Sequence, residues 1–213
     1  MPVSQGRDAR GQVSDVLVGS QRQQLLSGLG GKYAEYAMRG DLHFAITVAA
    51  GLAVPIQTTT APTVGLWNPS DSGVNAVLAK FTVGYVSGTS VATPIGLVFR
   101  DAAGGSAATG ANIVQWTEAA AGTNLFNGKL GRGNRPKARA IATATNTTTA
   151  GTYVYTIFGE SALIATTAMN PYETSHDFNG HIVVPPGAAV WVGGTAASGA
   201  LLTQQFSWIE VPE

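Results

Sequence analysis

One short stretch of the chain contains side chains that could act as acids, bases or metal ligands. Glu173, His176, Asp177 and His181 lie close together in the sequence. Their spacing argues against a shared site, because adjacent residues on a strand point to opposite faces and His181 falls in a turn before a strand. We therefore interpret these four residues as ordinary polar groups of a loop.

The remaining motifs give no enzyme class. The Gly-x-Ser-x-Gly pattern of hydrolases is absent, and the three histidines and twelve acids form no recognisable triad. Residues 128–133 resemble a phosphate-binding loop, but they lack the Walker lysine–hydroxyl pair and a following helix. The absence of cysteine excludes disulfides and thiolate metal sites. The sequence therefore predicts a protein that is not an enzyme and uses no cofactor.

The strongest local charge lies in the middle of the chain. Five of the twelve basic residues fall within eleven positions with no acid among them: Lys129, Arg132, Arg135, Lys137 and Arg139. Two interpretations are open, a solvated loop that leads into an edge strand or a docking site for an acidic protein surface. Direct binding of nucleic acid is not expected, because Phe126 is the one aromatic residue beside this stretch.

Composition predicts a protein that associates with other proteins. The chain has 213 residues, of which 45% are hydrophobic and 11% charged, and its formal net charge is +0. A chain of this size can form a sizeable core. The neutral charge leaves no global field for nucleic acid or a membrane surface, and low net charge favours association. Residues 44–56, the longest apolar stretch, are too short to span a bilayer, and no signal peptide is visible.

The elements that position these residues are predicted to be strands. From residue 42 onward, β-branched and aromatic runs are separated by Gly, Asn, Pro, Ser and Asp. Odd-numbered residues 77–85 are apolar or aromatic, and their alternation with the even-numbered ones predicts a half-buried strand. Strands are predicted at 42–48, 64–67, 74–86, 95–100, 113–118, 138–144, 153–158, 182–184, 188–192 and 201–211, with a surface loop at 124–135.

The fold prediction is an all-β protein with an N-terminal arm. About eight to ten strands at this spacing indicate a jelly-roll-like antiparallel β-sandwich over residues 42–213. Residues 1–41 show little alternation and are predicted to form an extended, partly helical arm, with short helices at 21–26 and 32–38. Whether this arm is a flexible tail or orders against a neighbouring subunit is left open.

The tryptophans fall in predicted strands. Trp67, Trp116, Trp191 and Trp208 all have this placement, which favours burial in a core or between subunits over an exposed sugar-binding platform. Trp191, Phe206 and Trp208 are therefore candidates for the sandwich core or for a seam between subunits. A carbohydrate-binding role stays possible, because jelly rolls include many lectins.

Three sequence stretches resemble small virion proteins of tailed bacteriophages. They are Gly-Lys-Tyr-Ala-Glu-Tyr-Ala-Met-Arg-Gly at 31–40, Leu-Trp-Asn-Pro-Ser-Asp-Ser-Gly-Val-Asn at 66–75, and the C-terminal stretch from Val-Val-Pro-Pro-Gly to Trp-Ile-Glu-Val-Pro. The resemblance is closest to capsid cement or decoration proteins, which form jelly-roll trimers on the phage head. The resemblance covers most of the chain from about residue 31, and its motifs are structural turns rather than chemical groups.

This resemblance implies a structural role on the outside of a capsid. The expected partners are the major capsid protein and further copies of the chain in a homotrimer, with no membrane, small-molecule substrate or cofactor. The chain would be made in the host cytoplasm, and its arm would lie across adjacent capsid subunits. The implied docking residues are the basic stretch already named and the arginines of the arm, Arg7, Arg10 and Arg22.

Two other roles are alternatives. A receptor-binding module of a phage tail would recognise a host-surface glycan through exposed loops such as 104–110. A jelly-roll enzyme of the cupin kind would need histidines clustered on strands, and the three histidines of this chain do not have that arrangement.

Overall fold

The computed structural model describes residues 3–7, 13–17, 33–47, 49–59, 62–101, 113–114, 123–129, 134–142, 151–160 and 173–213. The chain forms two compact units, Met1–Glu35 and Tyr36–Glu213. The first contains a hairpin of β1 (Val3–Arg7) and β2 (Val13–Leu17), paired antiparallel. This hairpin was missed in the sequence, because its few apolar residues do not alternate clearly. The predicted helix at 21–26 lies outside the described residues.

A short helix precedes the first strand of the second unit. Helix α1 (Ala34–Arg39) confirms the helix predicted at 32–38. It ends at Gly40, whose φ of 84° is easily reached without a side chain. The N–H groups of Gly40 and Asp41 both donate to the carbonyl of Tyr36, at 3.0 and 2.9 Å, and so satisfy the end of the helix.

The rest of the second unit consists of strands. The strands among its described residues are β3 (Leu42–Thr47), β4 (Leu52–Ala53), β5 (Val64–Trp67), β6 (Val74–Ser87), β7 (Thr93–Asp101), β8 (Ile113–Val114), β9 (Thr123–Asn127), β10 (Arg139–Ala142), β11 (Thr152–Glu160), β12 (Glu173–Asp177), β13 (Val183–Val184), β14 (Ala188–Gly194) and β15 (Leu201–Pro212).

These strands form two antiparallel sheets. One has six strands in the order β11-β7-β14-β5-β10-β8, and the other has the order β12-β6-β15-β3-β9, with β13 paired to β6 and β4 to β15. The prediction of an all-β antiparallel sandwich is confirmed. Most predicted strands are found within a few residues of their expected ends, whereas β4 and β12 were not expected from the sequence.

Strand β9 corrects the prediction of a surface loop over 124–135. Residues Thr123–Asn127 pair with β3 along its whole length, and the rings of Phe126 and Phe44 lie directly across from each other with centroids 5.7 Å apart. Leu125 and Phe126 are neighbours in the sequence, so the segment has no alternation that would mark a strand. Pairing with β3, rather than local pattern, makes it one.

A bulge in β6 corrects the predicted buried face of that strand. Lys80 pairs with Ser207 but Leu78 pairs with Trp208, so Ala79 is an extra residue on β6. The inward-facing residues therefore change parity along the strand. Leu78 lies in the core together with Phe81, whereas the alternation in the sequence had placed these two on opposite faces.

The core lies between the two sheets and is rich in aromatic residues. Phe206 packs against Phe81 with ring centroids 5.0 Å apart and against Phe178 at 6.4 Å. Each fully buried side chain of this size contributes roughly 2–3 kcal/mol through removal of apolar surface from water. Strand β14 is buried along its whole length, so it contributes side chains on both of its faces.

The other face of β14 holds a second apolar cluster. Trp191 lies there with Val98 and Ala189, and Trp67 and Tyr153 pack against the group. Trp191 is paired with Gly65 of β5. A Cβ atom on Gly65 would lie 2.6 Å from the Cβ of Trp191 and 2.5 Å from the carbonyl oxygen of Val190, so β14 lies too close to β5 at this position for a side chain.

Candidate functional site

The basic stretch predicted from the sequence lies at one end of the sandwich. Lys129 follows the end of β9, and Arg135, Lys137 and Arg139 lead into β10. The side chains of Lys129, Arg135 and Lys137 are exposed, and that of Arg139 is half-buried. Arg132 lies outside the described residues. The structure therefore describes four of the five basic residues. Three of these, Arg135, Lys137 and Arg139, lie at or just before the start of β10.

Asn127 fixes the two ends of the loop that contains these residues. Its side chain is 2% exposed. The Nδ2 group donates to the carbonyl of Gly40 at 2.7 Å and to that of Asn134 at 3.1 Å, while Oδ1 accepts from the N–H of Lys129 at 2.8 Å. Because one buried amide joins three chain segments, it determines where the loop leaves and rejoins the sheet.

His43 is a second buried polar residue at this end of the sandwich and lies next to Asn127. Its Nδ1 atom is 3.2 Å from Nδ2 of Asn127, and its ring lies 5.7 Å from that of Trp208. Burial lowers the pKa of His43 to about 4, against a smaller opposing effect of the Asp41 carboxylate. His43 is therefore neutral at physiological pH. The amide of Asn127 has two hydrogens and three acceptors within reach, so Nδ1 of His43 shares one of them with a backbone carbonyl.

Glu210 of β15 holds the backbone of the basic stretch. Its two carboxylate oxygens each lie 2.9 Å from the N–H of Lys137, and Oε1 also accepts from the N–H of Ala138 at 2.8 Å. The indole N–H of Trp208 donates to the same oxygen at 3.4 Å. Burial raises the pKa of Glu210, and the hydrogen bonds from the backbone oppose that shift.

Arg139 contacts an aromatic ring on the neighbouring strand β5. Arg139 and Trp67 are directly opposite each other on β10 and β5, and the guanidinium carbon lies 5.2 Å from the centroid of the Trp67 ring. This distance is within the range of a cation–π interaction. The ring restricts the guanidinium group, so its charge has a defined position on the surface.

An open cavity of about 330 Å³ lies beside these two groups. Its lining combines the start of β10 with the turn between β5 and β6. The residues that line it are Pro69, Asp71, Ser72, Pro136, Lys137 and Arg139. Two cations against one carboxylate leave the lining positive, and the prolines limit backbone movement. The arrangement suits a single carboxylate or a short acidic segment of a partner.

Buried Asn68 fixes the turn on the far side of the cavity. Its Nδ2 group donates to the carbonyls of Val74 at 2.7 Å and Val184 at 2.9 Å. The turn is also closed by the hydrogen bond from the N–H of Ser72 to the carbonyl of Pro69 at 3.1 Å. Both walls of the cavity are therefore attached to the sandwich by side-chain hydrogen bonds, one from buried Asn68 and the other to half-buried Glu210.

Sequence reasoning missed the residues that build this site around its charges. Two of them, Trp67 and Glu210, are far from the basic stretch in the sequence, and Asn127 lies just before it. Only the pairing of β5, β10 and β15 with their neighbouring strands brings these residues together. The turn at 68–73 was recognised as a turn but not as a wall of a cavity. No local signal identifies such partners.

The docking arginines predicted in the arm belong to the first unit of the chain. Arg7 is the last residue of β1. Arg10 and Arg22 lie outside the described residues, as do Trp116 and the glycan loop suggested at 104–110.

The three aromatic candidates for core or seam lie in the core. Trp191, Phe206 and Trp208 are each 0% exposed within a single chain. Phe206 and Trp208 belong to the main cluster and Trp191 to the second one. They have no accessible surface with which to contact a second subunit, so the seam alternative finds no support in their burial.

The possible acid–base residues His176, Asp177 and His181 have different surroundings in the structure. His176 points inward, where its Nε2 atom lies 3.0 Å from the hydroxyl of Tyr155. Asp177 accepts the N–H of Asn179 at 2.8 Å in a tight turn, and His181 is exposed. In the part of the chain that the structure describes, no three His, Asp or Glu side chains are grouped as metal ligands.

Comparison with known proteins adds no relative. A scan against protein-family models, a search of curated proteins and a search of solved structures all return no match. Among the described residues, no helix has the length and apolar character needed to cross a membrane.

Proposed function

We propose that this chain is a virion structural protein that binds the outside of a phage capsid and stabilises the shell by bridging major capsid subunits, without catalysis. The observation that supports this role best is the basic end of the sandwich. There Lys137 and Arg139 line a positive cavity, and Glu210 attaches the backbone of Lys137 and Ala138 to the sandwich. A fixed arrangement of cations suits docking on an acidic protein surface.

We further propose that the sandwich is a jelly roll. Strands β3, β5, β6, β7, β11, β12, β14 and β15 pair as first with last, second with seventh, third with sixth and fourth with fifth. This is the pairing of one long hairpin rolled into two sheets, which supports a jelly roll. Strands β8, β9 and β10 follow β7 in the chain and extend the two sheets at their edges.

Shell stabilisation follows from where such a protein binds. A chain that contacts two neighbouring capsid subunits has its complete site only on the assembled shell. Binding then favours the assembled state over separated subunits by mass action. In this proposal the basic end contacts one subunit and the segment before β3, including the hairpin of β1 and β2, reaches the next. A homotrimer would present three such contacts together and increase the effective affinity.

The basic-end proposal is tested by charge reversal and co-sedimentation with purified shells. The double variant Arg135→Glu/Lys137→Glu should bind shells at least about tenfold more weakly, because two favourable contacts become repulsive. Lys80→Glu is the matched control, since Lys80 is exposed on β6 away from the basic stretch. Binding by the unaltered protein should weaken with added salt. Equal binding by the double variant and the control contradicts this docking mode.

The arm is tested by a truncation that spares the sandwich. Gly40 and Asp41 accept backbone hydrogen bonds from Asn134 and Glu210, so a deletion through residue 40 would disturb the basic end itself. Removal of residues 1–32 leaves these contacts in place. The shortened chain should still bind shells but should protect them less against heat or denaturant. Full protection by the shortened chain contradicts a bridging role for the arm.

A further inference from the structure

The tripeptide Phe-Asn-Gly occurs twice in the chain, at residues 126–128 and 178–180, and Asn-Gly occurs nowhere else in it. An asparagine followed by glycine is prone to a spontaneous reaction in which the backbone nitrogen of the glycine attacks the side-chain amide, because glycine has no side chain to hinder the approach. Asparagine is accordingly one of the thermolabile residues of proteins. Since both copies share the residues on each side of the asparagine, a difference between them in the folded chain comes from tertiary structure.

The first copy is protected at both reacting groups. The side chain of Asn127 is 2% exposed, and its amide nitrogen donates to the carbonyl of Gly40 at 2.7 Å. The N–H of Gly128, which carries the attacking nitrogen, donates to the carbonyl of Leu42 at 2.7 Å. The reaction therefore requires the end of β9 to separate from β3, and we expect Asn127 to be unreactive in the folded chain.

The second copy lies in the turn between β12 and β13. Asn179 and Gly180 are both exposed, and their φ angles of 53° and 74° are those of a tight turn with two left-handed central residues. The N–H of His181 donates to the carbonyl of Phe178 at 2.9 Å and closes this turn. Among the described residues, the N–H of Gly180 has no hydrogen-bond acceptor. The attacking nitrogen is therefore available here, unlike that of Gly128.

The hydrogen bonds of this turn slow the reaction without preventing it. The N–H of Asn179 donates to Oδ1 of Asp177 at 2.8 Å, and its Nδ2 group donates to the carbonyl of Asp177 at 3.3 Å. Ring closure needs rotation about the Cα–C bond of Asn179, so these contacts must open first. Because they lie within one exposed turn, local opening is enough and no strand has to separate from the sheet.

We propose that Asn179 is a site of spontaneous modification, at which the folded chain converts its own asparagine into aspartate and isoaspartate. The backbone nitrogen of Gly180 loses its proton to base in the solvent and bonds to Cγ of Asn179, and the side-chain nitrogen leaves as ammonia. Water then opens the succinimide ring and returns a proton to the backbone nitrogen. Hydrolysis at the Cγ carbonyl gives aspartate, and hydrolysis at the backbone carbonyl gives isoaspartate. The amide and water become a carboxylate and ammonium, with no oxidation or reduction.

The product changes both the charge and the backbone length of a turn that carries a core residue. A carboxylate at residue 179 is repelled by that of Asp177 in the same turn, and isoaspartate also inserts an extra carbon atom into the backbone. Phe178 is 1% exposed, and its N–H donates to the carbonyl of Ala79 at 2.9 Å. Since β12 and β13 pair with β6 on either side of the turn, the isoaspartyl form should hold these two strands less firmly.

The test is incubation of the folded full-length chain at mildly alkaline pH, followed by peptide mapping with mass spectrometry and enzymatic methylation of isoaspartate. Conversion at residue 179 should be at least about tenfold faster than at residue 127, the factor that corresponds to one or two net hydrogen bonds broken before Asn127 reacts. In urea the two copies should convert at similar rates, because unfolding removes the protection of Asn127. Asn179→Gly keeps a residue suited to positive φ and should remove most isoaspartate from the folded chain.

Hydrogen exchange on the separated isoaspartyl form tests the effect on the turn. Exchange at residues 178 and 181 should accelerate relative to the unmodified chain, and Asn179→Asp, which has the charge without the longer backbone, should change it less. Equal conversion at residues 127 and 179 in the folded chain, or none at residue 179 under conditions in which it converts in urea, would overturn the proposal. Unchanged exchange would overturn the effect on β12 and β13. These outcomes do not depend on whether the chain binds capsids.

Discussion

Arg139 and Trp67 lie directly opposite each other on neighbouring strands, with the guanidinium carbon 5.2 Å from the centroid of the indole ring. A cation in this position is attracted by the negative face of the ring. The pair therefore joins Arg139, which the sequence places in the basic stretch, to Trp67, which the sequence places in a strand. It fixes one side of the positive cavity.

This pair predicts a measurable coupling in a double-mutant cycle. Trp67→Leu, Arg139→Ala and the double variant should show a favourable interaction of about 0.5–1 kcal/mol in the free energy of unfolding, the usual size of such a contact. Urea denaturation measures the four free energies. A parallel cycle of Trp67→Leu with Arg135→Ala should show no coupling, and equal coupling in both cycles would mean that the ring makes no specific contact with Arg139.

Replacement of Glu210 should release the basic stretch from β15. Glu210→Ala leaves the N–H groups of Lys137 and Ala138 without their acceptor and should cost roughly 1–3 kcal/mol of unfolding free energy. Glu210→Gln keeps one oxygen acceptor and should cost less. Hydrogen exchange at residues 137 and 138 should accelerate in the alanine variant, whereas Glu213→Gln at the exposed terminus should change neither quantity.

The raised pKa of Glu210 also predicts a pH dependence. A carboxyl group whose pKa is higher in the folded protein favours folding most below its ordinary pKa of 4.5, and that contribution is lost as pH rises through the raised value. The stability of the unaltered protein relative to Glu210→Gln should therefore increase as pH falls from 7 towards 4. A difference that is constant with pH would contradict the burial of this carboxylate.

His43 predicts the opposite response to acid. Burial lowers its pKa from the ordinary value of 6.5 to about 4 in the folded protein, so its contribution to stability is complete above pH 6.5. That contribution, up to about 3 kcal/mol, is lost as pH falls from 6.5 to 4, because the unfolded state binds the proton more readily. His43→Gln should remove this loss in denaturation measured across pH, and His181→Gln, at an exposed position, should retain it.

Gly65 predicts a steric effect specific to the second apolar cluster. A Cβ atom at this position would lie 2.5 Å from the carbonyl oxygen of Val190 and 2.6 Å from the Cβ of Trp191. Gly65→Ala should therefore cost roughly 1–3 kcal/mol or more through overpacking. Gly159→Ala is the matched control on β11, where nothing lies within 4 Å of the added atom. Thermal unfolding should separate the two variants clearly.

Much of the fold could be predicted from local pattern, but the candidate site could not. The turn at Pro185, Pro186 and Gly187 is a local property, because proline removes a ladder donor and Gly187 adopts a φ of 86°. The basic stretch is equally visible in the sequence. Its partner Glu210 is separated from Lys137 by 73 residues, and no local pattern relates the two.

The sequence by itself determined the class of structure, because alternation with a period of two identifies strands and glycine or proline separates them. Tertiary structure decided which faces are buried and which strands are neighbours. The bulge at Ala79 changed the buried face of β6, and pairing with β3 made a strand of Thr123–Asn127. The physical reason is that strand pairing is a long-range interaction, so the same local alternation is compatible with several registers and neighbours.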